Sequence, residues 1–412
     1  MLKGFQYRLY PTSEQQVLLN KHFGCVRFVY NWALETKNKA YVGERKSITC
    51  FDLVTQLPKL KEENEWLSEV NSQALQMAIR NLDNAYTNFF RRVKQGSKEV
   101  GFPKFKSRKN KQSFQCPQKV KIDFDSETIS IIKVPNIKAV YHRRFEGSVK
   151  TVTLSKTKSG KFFASVLVDT KDIAPAKPQI EEKTAIGIDL GLKDFAVLSN
   201  GEKIANQRFN EKARHKIAKL NRKMAKQKKM NGGKHTANRE KTRVKLARVY
   251  ERIENQRKDW LHNLSTKIVR DNQTICLEDL AVQNMQHNHK LAGSIASVAW
   301  SIFVRMLTYK CEWYGKNLIQ IGRFDPSSRI CSVCGCYNDK LTLADRTWTC
   351  ECGVVHDRDV NAANNIKTFA LHNQNLIREK IPLHKREYTL GEIEASKVQS
   401  KNQEQAPRLA VG

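Results

Sequence analysis

Three carboxylates stand where apolar runs of the chain stop. Asp189 closes "TAIGIDLG", Glu278 closes "TICLEDL", and Asp359 lies in "HDRDVNAANNI" at the start of a helical stretch. Strand ends are where open α/β sheets place ligand groups. Oxygen ligands suit magnesium, which keeps several waters and needs only two or three converging carboxylates. Two such ions about 4 Å apart activate a water and stabilise the leaving 3′ oxygen of a phosphodiester. The expected chemistry is therefore Mg2+-dependent hydrolysis of a nucleic-acid backbone, with Asp189, Glu278 and Asp359 as catalytic ligands. Neighbouring acids compete for each place. Asp194 falls in a hairpin turn, strand alternation turns Asp279 to the face opposite Glu278, and Asp357 lies two residues before Asp359. Asp359 is preferred because the small residues of "NAANNI" allow its helix to pack closely on a sheet, and Asp357 comes second.

A second cluster is made of thiols. Of ten cysteines, Cys331, Cys334, Cys336, Cys350 and Cys352 crowd into 22 residues. Cys331-x-x-Cys334 and Cys350-x-Cys352, fifteen residues apart, are two pairs that can hold Zn2+ tetrahedrally with Zn–S bonds of about 2.3 Å. The second pair has one intervening residue instead of two, and Cys336 and His356 stand close by, so either is a possible substitute ligand. A structural ion is expected, since the carboxylates already account for the chemistry. Cys25, Cys50, Cys116, Cys276 and Cys311 are scattered and read as small buried residues. His287-Asn288-His289 resembles a metal-binding histidine pair but lies in a polar loop, and reads as a local turn.

These groups need a scaffold. After a short strand (Gly4 to Leu9), Pro11 and Thr12 open a helix, and a second amphipathic helix runs from Asn71 to Val93 with Leu75, Ala78, Leu82, Tyr86, Phe89 and Phe90 on one side. "GFPKFKSRKNKQSF" interleaves aromatics with Lys and Arg, a pattern able to stack on bases and hold phosphates. From 119 to 173 the period is two, which predicts five strands and a small β-barrel. A Pro- and Glu-containing linker (174–183) follows. Beyond it come a strand ending in Asp189, a hairpin with a type I′ turn at Asn200-Gly201, and two basic helices (205–268). Leu246, Val249, Tyr250, Ile253, Trp260 and Leu264 mark the buried stripe of the second. The strand with Glu278, a helix with Trp300, Phe303, Val304, Leu307 and Cys311 on one face, the strand "LIQIGRF" and a last helix complete an RNase H-type α/β layer (184–326 and 355–370), with the cysteine cluster (327–354) as an insertion. Residues 371–412 lose their pattern and read as a disordered tail.

The balance of 73 Lys and Arg against 41 Asp and Glu leaves +32 over 412 residues. An excess that large points to a polyanion, because each neutralised phosphate releases counterions. No apolar run is long enough to cross a bilayer and Met1 to Gly4 do not open a signal peptide, so no membrane partner and a soluble intracellular chain are expected.

With these residues in hand, the chain resembles the TnpB family, transposon-encoded relatives of type V CRISPR effectors. The matching stretches are "YRLYPTSEQQ", "FGCVRFVYNWALE", "GFPKFKSRK", "GIDLGLKDFAVLSNG", "LEDL", "SSRICSVCG" and "WTCECGVVHDRDVNAANNI". The resemblance implies an α/β multidomain, RNA-guided DNA endonuclease of the prokaryotic cytoplasm, guided by RNA from the transposon end and cutting double-stranded DNA beside a short motif. It implies a RuvC triad at Asp189, Glu278 and Asp359, a recognition domain over 11–118, and a wedge barrel over 119–173 whose first strand lies in 1–10. Two rivals share the motifs: a conventional transposase, which copurified guide RNA would argue against, and a non-catalytic nucleic-acid-binding regulator, whose expected mark is a lost carboxylate.

Overall fold

The computed structural model describes residues 1–373 apart from 97–99, 235, 290, 324 and 343. The chain forms two compact units, Met1–Ile173 with Lys223–Arg248, and Ala174–Arg222 with the chain from Val249 onward.

In the first unit, strand β1 (Leu2–Tyr10) leads into helix α1 (Ser13–Glu44). Thr12 starts the helix as a capping box: its hydroxyl accepts from the Gln15 N–H at 3.3 Å, and its own N–H donates to Gln15 Oε1 at 3.0 Å. Short helices α2 (Cys50–Thr55) and α3 (Leu57–Glu63) precede α4 (Ser72–Lys94), which Asn71 caps. Leu75, Ala78, Ile79 and Leu82 bury one stripe of α4, while Phe90 at its end is exposed. Strands β2 (Gln112–Cys116), β3 (Lys121–Asp123), β4 (Thr128–Ile131), β5 (Val134–Val140), β6 (Ser148–Lys156) and β7 (Phe162–Asp169) join β1 in a seven-stranded sheet of order β2-β6-β7-β1-β5-β4-β3.

Its ladders are antiparallel, and among the described residues none joins β2 to β3, so the sheet is open where a barrel was expected. Strand β2 lies inside the stretch read as helical domain and basic loop. Its alternation, with Phe114 and Cys116 inward, was obscured by the lysines and arginines just before it. Helices and sheet share one core, from Phe23 and Leu34 through Leu75 to Phe114, Ile137 and Val166.

In the second unit, β8 (Ala185–Leu190), β9 (Asp194–Leu198) and β10 (Lys203–Ala205) are followed by the long helices α5 (Phe209–Met230) and α6 (Ala237–Asp271), which are divided between the units. Then come β11 (Thr274–Glu278), α7 (Val282–Met285), α8 (Ala292–Val298), α9 (Trp300–Trp313) and β12 (Asn317–Ile321). A two-stranded ribbon, β13 (Thr347–Thr349) and β14 (Val355–Asp357), precedes α10 (Arg358–Asn373). The sheet order is β10-β9-β8-β11-β12. Strands β8, β11 and β12 run parallel, and β9 and β10 are antiparallel to their neighbours.

Both sheet faces are covered, which is why β8 and β11 read as near-continuous apolar runs. Helices α6 and α9 cover one face, packing Leu261, Ile268, Phe303 and Leu307 on Ile186, Ile188, Ile275 and Leu277. Helix α10 covers the other, with Ile366 and Ala370 against Cys276 and Ile321.

Three local expectations change. Asn200 is not left-handed; Gly201 alone is (φ 88°), and its N–H bonds Leu198 O at 2.9 Å. The turn is therefore centred on Ser199 and Asn200 with glycine after it, a three-residue hairpin loop in place of type I′. Tyr250 is exposed, while Val249 and Ile253 are buried and Trp260 and Leu264 pack half-buried against the core; the stripe of α6 continues through Leu261, Ile268 and Val269. The expected tail begins too early at 371: Leu371 is buried in α10, and residues 374–412 lie outside the described ones.

Candidate metal-binding sites

Side-chain alternation brings the carboxylates to one face. Residues of equal parity along a strand point the same way, so Gly187 and Asp189 of β8 face with Cys276 and Glu278 of β11. The parallel register sets Leu277 beside Ile188, which puts Glu278 level with Asp189. That face belongs to α10, whose second residue is Asp359. The helix comes this close because β8 carries glycine beneath it: a Cβ on Gly187 would meet Ala363 O at 2.0 Å.

The result is a cleft of about 380 Å3 lined by Asp189, Glu278 and Asp359, with Asp325, Arg329, Tyr337 and Arg358 around them. Burial, then the charges of Asp359 and Glu278, push the Asp189 carboxyl up to about 7, against the opposing pull of Arg358. Burial also raises Glu278, helped by Asp325 and Asp279. Burial raises Asp325 too, although the Gly322 N–H donates to it at 2.8 Å. Partly buried carboxylates crowded in this way are the donor set that a hard divalent cation fits.

Asp325 was missed in the sequence. It stands four residues past the end of β12 (Ile321), and the strand-end rule that found Asp189 and Glu278 would have found it. The other acids have separate duties. Asp357 accepts from Lys203 Nζ at 2.5 Å and from the N–H groups of Asp359 (3.2 Å) and Val360 (3.1 Å). It caps α10, and these partners outweigh burial and hold its carboxyl below the ordinary range. Asp279 pairs with Arg323 at 2.7 Å, and Asp194 opens β9. None of the three lines the cleft. His287 and His289 are exposed in turns after α7.

The thiols meet as well. The sulfurs of Cys331, Cys334, Cys350 and Cys352 all lie within 4.8 Å of one another, with Cys331–Cys352 at 3.8 Å and Cys334–Cys350 at 3.4 Å and no disulfide. A tetrahedron with Zn–S bonds of about 2.3 Å has edges of about 3.8 Å, so the set fits zinc. The C-x-C spacing does not disturb it. Cys336 stays outside this group. His356 is buried with its Nε2 3.0 Å from Cys331 Sγ and its ring against Trp348, a neighbour of the four sulfurs and not one of the group. Of the scattered cysteines, Cys25, Cys116, Cys276 and Cys311 are buried and Cys50 half-buried.

Residues 165–289 match a family model described as "Probable transposase", 300–366 one described as "Cas12f1-like, TNB domain", and 1–46 one described as "Helix-turn-helix domain". A Streptomyces pristinaespiralis protein named "Putative RNA-guided DNA endonuclease" is 41% identical over 90% of this chain and 89% of its own. The chain belongs to the TnpB family. Among its TnpB relatives, the Escherichia coli K12 protein "Putative RNA-guided DNA endonuclease InsQ" is 30% identical over 89% of this chain and 91% of its own, and the mimivirus "TnpB-like protein L79" 23% over 88% and 72%. The solved "Cas12f1-sgRNA-target DNA complex" shares the fold, with a TM-score of 0.51 at 12% identity, covering 89% of this TnpB chain and 98% of that one. The helix-turn-helix match falls on β1 and an unbroken 32-residue α1.

Proposed function

We propose that this chain is an RNA-guided, magnesium-dependent DNA endonuclease of an insertion sequence, cutting beside a short motif with a single RuvC site. The observation that carries the reading is the meeting of Asp189, Glu278 and Asp359 on one face of a β10-β9-β8-β11-β12 sheet beneath α10, an arrangement we read as RNase H-like. Bound magnesium would supply water activation and stabilisation of the leaving oxygen. The three carboxylates would hold it, and Arg358 at the cleft wall, with Arg346 3.8 Å from Asp359, would face the phosphate. Zinc at Cys331, Cys334, Cys350 and Cys352 would keep the ribbon folded.

The partners proposed are a guide RNA from the transposon end and double-stranded target DNA, in keeping with the names of the relatives. The +32 charge and the exposed cations of α5, among them Lys212, Arg214, Lys216, Lys219, Arg222 and Lys223, suit a large phosphate surface. Such a protein reads an RNA–DNA heteroduplex by shape and leaves sequence choice to base pairing. The helices α1 to α4 and the sheet formed by β1 and β2 to β7 would serve as recognition and wedge domains. Among the described residues no helix is long and apolar enough to cross a membrane.

The description of the 165–289 family model favours a second reading, a conventional transposase. Programmability separates the two. Purified protein with magnesium is expected to cut a plasmid only with its RNA, and a changed guide sequence moves the cut. Specific cutting that survives thorough RNase treatment would favour the transposase.

A further inference from the structure

A second cavity adjoins the carboxylate cleft. Ser301, Val304, Arg305 and Thr308 form one face of α9, spaced as i, i+3, i+4 and i+7, and they line a groove of about 390 Å3. Leu280, Val282 and Val304 make it largely apolar, and Glu278 is among its lining residues. Glu278 also lines the carboxylate cleft, so the two cavities share that side chain. The side chains of Arg305 and Gln320 at the groove have no hydrogen-bond or ion-pair partner among the described residues. The nearby charge of Asp279 is already matched by Arg323.

We propose that this groove seats the unpaired base of a nucleotide next to the scissile phosphate, with Arg305 on the phosphate of that nucleotide. The proposal rests on the nuclease reading and adds a binding subsite to it. The volume lies in the small-ligand range of roughly 300–1,000 Å3. An apolar wall of Leu280, Val282 and Val304, with Tyr309 also among the lining residues, accepts the flat face of any base without reading its edge, which suits an enzyme whose sequence choice lies elsewhere. The free guanidinium offers paired donors to phosphate. A base still stacked in a duplex would not reach the groove, so the strand must be single there. Continuity through Glu278 names the occupant: whatever fills the groove lies beside whatever the carboxylates act on.

The test scans 2-aminopurine, whose emission reports stacking, position by position through the cut strand of a DNA target matching the RNA bound to the full chain. Calcium replaces magnesium so that binding is read without cleavage. One position beside the cut is expected to change emission. Ser301→Trp, which fills the groove from an exposed site, is expected to abolish that change, and Arg305→Ala to weaken strand binding about tenfold. No position-specific change, or the same change in Ser301→Trp, overturns the proposal. Cleavage in magnesium is scored separately: cutting without the signal removes the groove and leaves the nuclease, whereas the signal without cutting removes the nuclease and leaves the groove.

Discussion

At the scale of single residues, parity along two strands decides which acids meet. Ala substitution at Asp189, Glu278 or Asp359 is expected to abolish cleavage while leaving RNA and DNA binding nearly unchanged, because affinity comes from dispersed cations. Asp357→Ala removes a helix cap worth about 0.5–2 kcal/mol and should lower the melting temperature more than the cleavage rate. Full activity in Asp359→Ala with loss in Asp357→Ala would reverse the assignment. The close packing of α10 was legible in the small residues of "NAANNI", and the cap that Asp357 makes is equally local, resting on the N–H groups of Asp359 and Val360; its contact with Lys203 was not legible, since it joins residues far apart in the chain. Lys310 was invisible to sequence reading. It is buried on α9 and donates to His262 O at 2.7 Å, Ser265 Oγ at 2.8 Å and Thr266 Oγ1 at 2.6 Å, with no carboxylate partner among the described residues. Burial brings its ammonium down to about 8 from an ordinary 10.5. Between those values the unfolded chain holds the extra proton, so this lysine makes stability rise with pH across that window. Denaturant midpoints measured from pH 7.5 to 10.5 should show that rise, and Lys310→Met should flatten it.

At the scale of elements, periodicity carried most of the reading. The apolar runs of β8 and β11 and the helical stripe of α9 were plain from sequence, whereas β2 was hidden by lysines and arginines just upstream and the open edge between β2 and β3 is a property of pairing that no single strand declares. Gly187 shows what pairing adds. Its missing side chain lets α10 lie on β8, and Gly187→Val is expected to displace the helix. Hydrogen exchange over 358–373 should accelerate in that variant and cleavage should fall at least a hundredfold; wild-type exchange and wild-type cutting together would show that the close contact is dispensable. The ribbon gives a separate expectation. One zinc per chain should appear in elemental analysis, and Cys331→Ser or Cys350→Ser should loosen the ribbon, since zinc ligation supplies on the order of 10 kcal/mol to such folds. A metal-free protein that melts and cuts like the native one would remove zinc from the account.

At the scale of the whole molecule, the carboxylates are far apart along the chain and close only in the fold. Asp189 and Glu278 sit on neighbouring strands, but Asp359 arrives on the last described helix, after the ribbon. Chains stopped at Val354 should therefore still bind nucleic acid through unit 1 and α5 yet cut nothing, as a gel-shift and a cleavage assay run side by side would show; cutting by such a chain would place the chemistry elsewhere. The same order of elements has a consequence during synthesis. On the proposed nuclease reading, Asp359 is made only after both other carboxylates and the ribbon, so a nascent or prematurely terminated chain would carry its cationic surfaces without being able to cut the chromosome that encodes it. An aspartate placed this late would make completion of translation itself the safety catch.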